Sequence, residues 1–380
     1  MNAGSGGYGS AGEDTRAGCV CPPCRCAAPS SRSQGQNRHS GRNGARGRSL
    51  GRSRVRAVAR ARGAALSPNT VRTYATGWNS FCSWADAQGV DVSSAGSDDF
   101  QGWLVDLAAE GKRPSTLRTY RAAVVHRYSE WGGANPARDP QVGRVLSGLR
   151  RQAAQAGYVP KQAAPLRHHH IDLIAETAFE PRNNQPGGRL ETPEQAARRA
   201  LVDIALVSVA HDGLLRCSEL LAIRWGDVVA AENSGGTLIY VRRSKTDQTA
   251  NGAYIPVSQF ASKALERIKP PNADPDALVF DMSAGTVARR LKAVARTAGI
   301  DAENISTHSP RVGMAQDLAA AGFDMAAIMV AGRWSTPAMV ALYTRRLAAA
   351  DSTIAKHLQT RQTHPSQQRP RNTNTTPQAA

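Results

Sequence analysis

From residue 66 onward the apolar side chains recur almost everywhere at three- and four-residue intervals. That spacing turns one face of a helix toward a core, so it commits the chain to a mainly helical fold. Val71, Tyr74, Trp78, Phe81 and Ala85 make the first stripe, opened by Ser67-Pro68 and closed by Gln88-Gly89. The second begins at Ser97, where Asp98 and Asp99 complement the positive end of the helix dipole. Phe100, Trp103, Leu104 and Leu107 form its apolar face, and Gly111 stops it. A third helix runs from Ser115 through Leu117, Tyr120, Val124 and Tyr128 to Gly132-Gly133, and a fourth spans about 142–156. These four predict a compact helical domain at 66–158.

Residues 157–167, with Pro160 and Pro165, read as a linker, and 180–192 as a surface loop with the look of an insertion. Helices are predicted near 170–179, over 193–211 and from 216 to 223. The β-branched and aromatic runs 237–241 and 253–257, with Asp247, Asn251 and Gly252 between them, predict a hairpin. Further helices follow at about 259–268, 285–298, 310–321, 324–331 and 337–346, with a last short one at 352–359. The fold class is therefore mainly α with a small antiparallel β-sheet. The second domain covers 161–360.

Aromatics are only 5% of the chain, so aliphatic side chains and Ala are expected to do most of the packing. No run approaches the ~18 consecutive apolar residues of a membrane span. The most apolar stretch, 201–215, is interrupted by Asp203, Ser208, His211 and Asp212. The first residues lack an apolar core of the kind a secretion signal needs.

The formal charge is +18 and unevenly placed. Residues 1–65 carry twelve Arg against Glu13 and Asp14, a net of +10, and residues 361–380 add +3. A segment of Arg, Gly and Ser buries too little apolar surface to fold, so both ends are predicted to be disordered tails. Basic residues placed at phosphates release condensed counterions, which suits a polyanionic partner. The same composition also serves a solubilising tail with no partner.

Cys82 and Cys217 sit inside periodic segments and read as small buried hydrophobes. Cys19, Cys21, Cys24 and Cys26 form a C-x-C-x-x-C-x-C run able in principle to hold a soft metal. Structural zinc sites pair two such knuckles across a longer loop, and Pro22-Pro23 stiffen this one, so a low-complexity accident is the first reading. His168-His169-His170 point in different directions on a helix start, which makes a poor chelate and a linker instead.

Four polar clusters remain. Arg216 and Glu219 are i, i+3 neighbours able to pair on one helix face. Lys245 lies at the hairpin tip beside Arg242 and Arg243. His308 and Arg311 start a helix and share a face, while Trp334 and Tyr343 stand nine residues apart across a helix boundary. Singly each has an ordinary explanation: a helix salt bridge, a solvated loop charge, a cap, two core aromatics.

In order, Arg216, Lys245, His308-x-x-Arg311, Trp334 and Tyr343 resemble the tyrosine recombinase (phage integrase) family, in the branch that contains the Cre recombinase. The run from His308 to Arg346 is similar to that branch throughout, and Trp334 stands where most integrases have a second His. The resemblance extends weakly over the helical domain and leaves out residues 1–65.

What the resemblance implies is a two-domain, C-shaped clamp on double-stranded DNA, acting as four protomers on two sites. Tyr343 would attack a phosphodiester to form a 3′-phosphotyrosyl link, with Arg216 and Arg311 clamping the nonbridging oxygens. Lys245 would be the general acid for the leaving 5′-oxygen, and His308 would assist proton transfer. Trp334 would donate its indole N–H to the phosphate, and Glu219 would orient its neighbours. The activity implied is site-specific strand cutting and rejoining, with no cofactor, metal, ATP, membrane or small-molecule substrate, in a cytoplasmic and nucleoid-associated protein. Two other readings keep the fold: a topoisomerase or resolvase with the same Tyr chemistry, and a non-catalytic DNA-binding regulator.

Overall fold

The computed structural model describes residues 65–350 apart from 133, 184–187, 232–235 and 244–251, together with Ala57, Ala61 and residues 352–355, 357 and 358. The four clustered cysteines and Lys245 lie outside the described residues. By contacts the chain divides into two units, Met1–Ala153 and Ala154–Ala380.

In the first unit, α1 (Pro68–Ala87) begins where Ser67 accepts the Thr70 N–H at 3.2 Å, with Pro68 in the first turn. Helix α2 (Ser97–Ala109) is fixed by Asp99, whose carboxylate accepts the Gly96 N–H at 2.9 Å. Helix α3 (Pro114–Trp131) stops at Gly132 in the left-handed region, and a 3₁₀ turn at Pro136–Arg138 leads into α4 (Pro140–Gln155).

The core here is aromatic, against the composition-based expectation: Trp78, Phe81, Phe100, Trp103 and Tyr128 are all buried. The scarce aromatics are concentrated in this small unit. Burying a residue such as Phe81 contributes ~1.5–3 kcal/mol, more than an Ala in the same place. Tyr128 spans the unit by donating its hydroxyl to the Val92 carbonyl at 2.5 Å.

The second unit is built on α6 (Pro193–Asp212). Thr192 and Gln195 close a reciprocal capping box at its start, at 3.3 and 3.0 Å. From Asp203 to His211 every residue of the helix is buried, the polar Asp203, Ser208 and His211 included, which accounts for the largely apolar character of this stretch. Helices α5 (His168–Thr177), α8 (Gln259–Ile268), α9 (Ala284–Thr297) and α10 (Ser309–Ala320) complete the main body. This core is aliphatic, with Phe280 as its one fully buried aromatic among the described residues, as composition predicts.

Four details depart from the sequence reading. His168 to His170 form the first turn of α5 and not a linker, because Asp317 accepts the His168 N–H at 2.8 Å and the His170 ring accepts the Arg167 N–H at 3.1 Å. The helix after Arg216 is one turn, α7 (Cys217–Leu220). It gives way at Ile223, whose carbonyl instead accepts from Val279 at 2.9 Å as the chain extends to pair with 277–279. A third strand precedes the hairpin: β1 (Val228–Ala230) pairs antiparallel with β2 (Thr237–Val241), and β2 with β3 (Ala253–Val257). Three residues show no alternation to read. Finally, Cys217 is only partly covered, unlike Cys82.

The 180–192 loop is pinned at both ends. Arg182 and Arg199 reach the buried Asp203 at 3.2 Å, Arg290 meets its other oxygen at 2.7 Å, and Glu191 binds Arg199 at 2.9 Å.

Gly313 is required by close approach. A Cβ there would lie 1.7 Å from the Leu166 carbonyl oxygen. Gly313→Ala is therefore expected to destabilise the second unit by ~2–3 kcal/mol, measured by urea denaturation; a loss under ~0.5 kcal/mol would contradict this packing.

Candidate active site

The site forms where the end of α6 meets two helices from the C-terminal part, α11 (Met325–Gly332) and α12 (Pro337–Ala350). After α6 the chain turns through Gly213 and Leu214, the latter at φ 44°. Arg216 then caps α7. Its N–H donates to one oxygen of Glu219 at 3.0 Å, and its guanidinium donates to the other at 2.6 Å. Glu219 is buried. Burial would push its carboxyl up, but the Arg216 amide and the Arg216 and Arg333 cations outweigh that and hold it below the usual range.

Arg311, in the first turn of α10, is 1% exposed. Its two terminal nitrogens donate to the Leu214 and Gly332 carbonyls, and its guanidinium lies 4.3 Å from the Trp334 ring centroid. Burial, then the nearby Arg216, pushes it down to about 10, so it stays charged at neutral pH.

Helix α11 ends at Gly332, and Arg333 follows in the left-handed region at φ 53°. This reversal lays the Trp334 indole over Gly332, where any Cβ would strike the ring at 1.9 Å. Helix α12 brings Tyr343 to the same indole, ring centroids 5.8 Å apart and 68° between planes. Gln316 of α10 holds that turn of α12 through the Tyr343 carbonyl at 3.0 Å. Burial pushes the phenol up while the Arg311 and Arg216 charges pull it down; burial wins, and the hydroxyl is protonated at neutral pH.

Of the residues singled out in the sequence, the structure thus brings together Arg216, Glu219, Arg311, Trp334 and Tyr343. A small apolar cluster of Leu214, Ala315, Ile328, Trp334 and Val340 lies beneath them. His308 is at the N-cap of α10, one turn before Arg311, with its side chain exposed and its N–H donating to Ser306 at 3.2 Å.

The model of the phage integrase family matches residues 190–349, and that of the phage integrase N-terminal SAM-like domain matches residues 61–131. The chain belongs to the phage integrase family, the tyrosine-type site-specific recombinases. The integrase/recombinase xerD homolog of Selenomonas ruminantium is 25% identical over 295 residues, covering 72% of this chain and 81% of its own. Recombinase cre of Escherichia phage P1 is 23% identical over 322 residues, covering 78% and 89%. Among solved structures, XerH site-specific recombinase bound to palindromic difH substrate matches with a TM-score of 0.54 at 15% identity, over 75% of this chain and 80% of that one. That last likeness concerns the fold.

Two features of this recombinase went unread in its sequence. Arg333 adds a third guanidinium, donating to Glu219 at 3.1 Å and to the Gly213 and Leu214 carbonyls at 3.1 and 3.2 Å. The available signal was an Arg just past a helix end, where the left-handed turn favours Gly. The second is a polar brace behind the Arg216 turn. His211, buried in the last turn of α6, meets Asp317 at 3.0 Å and Asp212 at 3.2 Å, while Arg167 meets Asp317 at 2.7 Å. His211 and Asp212 are neighbours in sequence, but only tertiary contact brings Asp317 and Arg167 to them.

The brace gives a pH signature. Burial alone would lower His211, but its two carboxylate partners outweigh this and raise it above 6.5. Burial would raise Asp317, yet bonds from His211, Arg167 and the His168 amide bring it from 3.8 to about 2. The charged His contributes fully below 6.5 and less as the pH rises through its folded value. The carboxylate contributes fully above 3.8 and less as the pH falls toward 2. Thermal melts should therefore peak between about pH 4 and 6.5, with Asp317→Asn lowering that plateau by roughly 3–6 °C and flattening the slope above it. A variant with the unaltered pH profile would contradict the brace.

Proposed function

We propose that this recombinase cuts a strand of double-stranded DNA by attack of the Tyr343 phenol on a backbone phosphodiester, and rejoins strands by the reverse step. The bond from phosphorus to the 5′-oxygen breaks, the 3′-phosphate becomes esterified to Tyr343, and the 5′-hydroxyl leaves carrying a proton. One ester replaces another, so the bond energy is kept and neither ATP nor a metal ion is needed.

The observation that carries this reading is the setting of the phenol. Its ring stands edge-on to Trp334, which supports the Arg311 guanidinium, and it feels the charges of Arg311 and Arg216 together. The transition state gathers negative charge on the nonbridging oxygens, which these two forks are suited to stabilise. A guanidinium has five N–H donors, so Arg311 can hold two carbonyls and still face an anionic oxygen.

Glu219 keeps Arg216 aimed, and Trp334 supplies a non-titrating N–H donor to the phosphate. A neutral phenol must lose its proton during attack, and His308, exposed at the start of α10, is the group we assign to that transfer. Lys245 is assigned as the acid for the leaving oxygen. The working assembly is a tetramer on two DNA sites. Sedimentation with a two-site duplex tests this, a complex of four chains being expected and a lasting two-chain complex contradicting it.

The chemistry is tested on a duplex selected from a randomised pool by binding to this protein, then nicked near its centre so that a cut fragment is lost. A detergent-resistant protein–DNA adduct is expected. Tight binding without an adduct favours the non-catalytic regulator, and adducts without strand exchange between two sites favour a topoisomerase.

A further inference from the structure

We infer that Arg333 is a positioning residue that locks the two clamping arginines, Arg216 and Arg311, to each other. Its guanidinium donates to the Glu219 oxygen that also accepts the Arg216 N–H. The same nitrogen donates to the Leu214 carbonyl, which is also an acceptor for Arg311. One side chain thus joins the carboxylate that aims Arg216 to the carbonyl that aims Arg311. The side chain is 12% exposed, so these bonds act largely out of water, where they are stronger and hold geometry more tightly.

The backbone makes the case specific. At φ 53° and ψ 47°, position 333 has the conformation for which glycine is the usual residue at a helix end. If the position served only to end α11, Gly would serve it better. An Arg held there, with its head group on three acceptors of the Arg216 turn, points to a use for the head group. Arg333 has no assigned part in bond making; it acts through Glu219 and Leu214.

The inference rests on the proposed Tyr343 chemistry, and Arg333→Gly separates the two. Gly relieves the backbone while removing the tether's hydrogen bonds, so the two effects oppose and the melting temperature should shift by only a few degrees. Single-turnover cleavage of the selected, nicked duplex should fall ~10–100-fold, with binding of that duplex within about twofold. Glu219 would lose one of its two cationic partners, so the acid limb of the rate profile should move to higher pH. Arg333→Asn, which also tolerates the left-handed turn, should behave likewise.

Cleavage within about twofold of the unaltered protein in either variant overturns the inference. So does a loss of rate that tracks a loss of melting temperature in both variants while the acid limb stays put, since that marks a merely structural residue. Failure of the unaltered protein to form any adduct with this duplex would overturn the Tyr343 chemistry, and with it any positioning role for Arg333.

Discussion

Arg311→Lys is expected to slow single-turnover strand cleavage by ~10²–10³ while leaving the protein folded. The Arg side chain reaches the Leu214 and Gly332 carbonyls with separate nitrogens and sits over the Trp334 ring. A lysine ammonium is a compact point charge. It can satisfy one carbonyl or approach a phosphate, but it lacks the planar fork to do both while stacking. The charge is kept, so a large fall in rate would be assigned to geometry.

Arg311→Ala is the less informative change. It orphans two carbonyls and empties a buried site, at a cost of ~3–5 kcal/mol in stability, which would mix unfolding with lost chemistry. Urea denaturation of the Lys variant beside its rate keeps the two apart. A rate within threefold of the unaltered protein would remove Arg311 from the phosphate clamp.

Tyr343→Phe is expected to abolish the covalent adduct completely and to leave DNA binding within about twofold. The substitution deletes one oxygen and retains the ring that meets Trp334 edge-on. Stability should change by less than ~1 kcal/mol, as for the loss of a single partly buried hydroxyl. The effect is all-or-none because no other group replaces a missing nucleophile. Gel analysis under denaturing conditions reads it directly, and an adduct persisting in the Phe variant would mean that another residue carries the DNA.

The local pairs of the candidate site were legible because their members are near in sequence, while their grouping into one site came from the family resemblance alone. Arg216 and Glu219 are one turn apart, as are His308 and Arg311, and Trp334 and Tyr343 flank a single helix boundary. Helical periodicity fixes such neighbours without knowledge of the fold. The aromatic stripes of the first unit were legible for the same reason, and Ser67 and Gly132 marked helix ends through their local chemistry.

What escaped reading depends on contacts between distant segments. The α7 helix stops early because Ile223 finds a partner in Val279. His211 and Asp317 are 106 positions apart, and each taken alone looks like an ordinary helix residue. Arg333 gives only a faint signal in sequence, an Arg where a helix end favours Gly, and its partners Gly213, Leu214 and Glu219 lie 114 to 120 positions away. Composition misled in one respect, since an average of 5% aromatics conceals their gathering in the first core.

The most direct measurement is the chemical identity of the protein–DNA linkage. The adduct trapped on the nicked duplex would be digested with protease and nuclease, and the modified peptide sequenced by tandem mass spectrometry. A nucleotide esterified through its 3′-phosphate to Tyr343 is the expected result. A 5′-phosphate linkage, or attachment to Tyr240, Tyr254 or any side chain other than Tyr343, would contradict it.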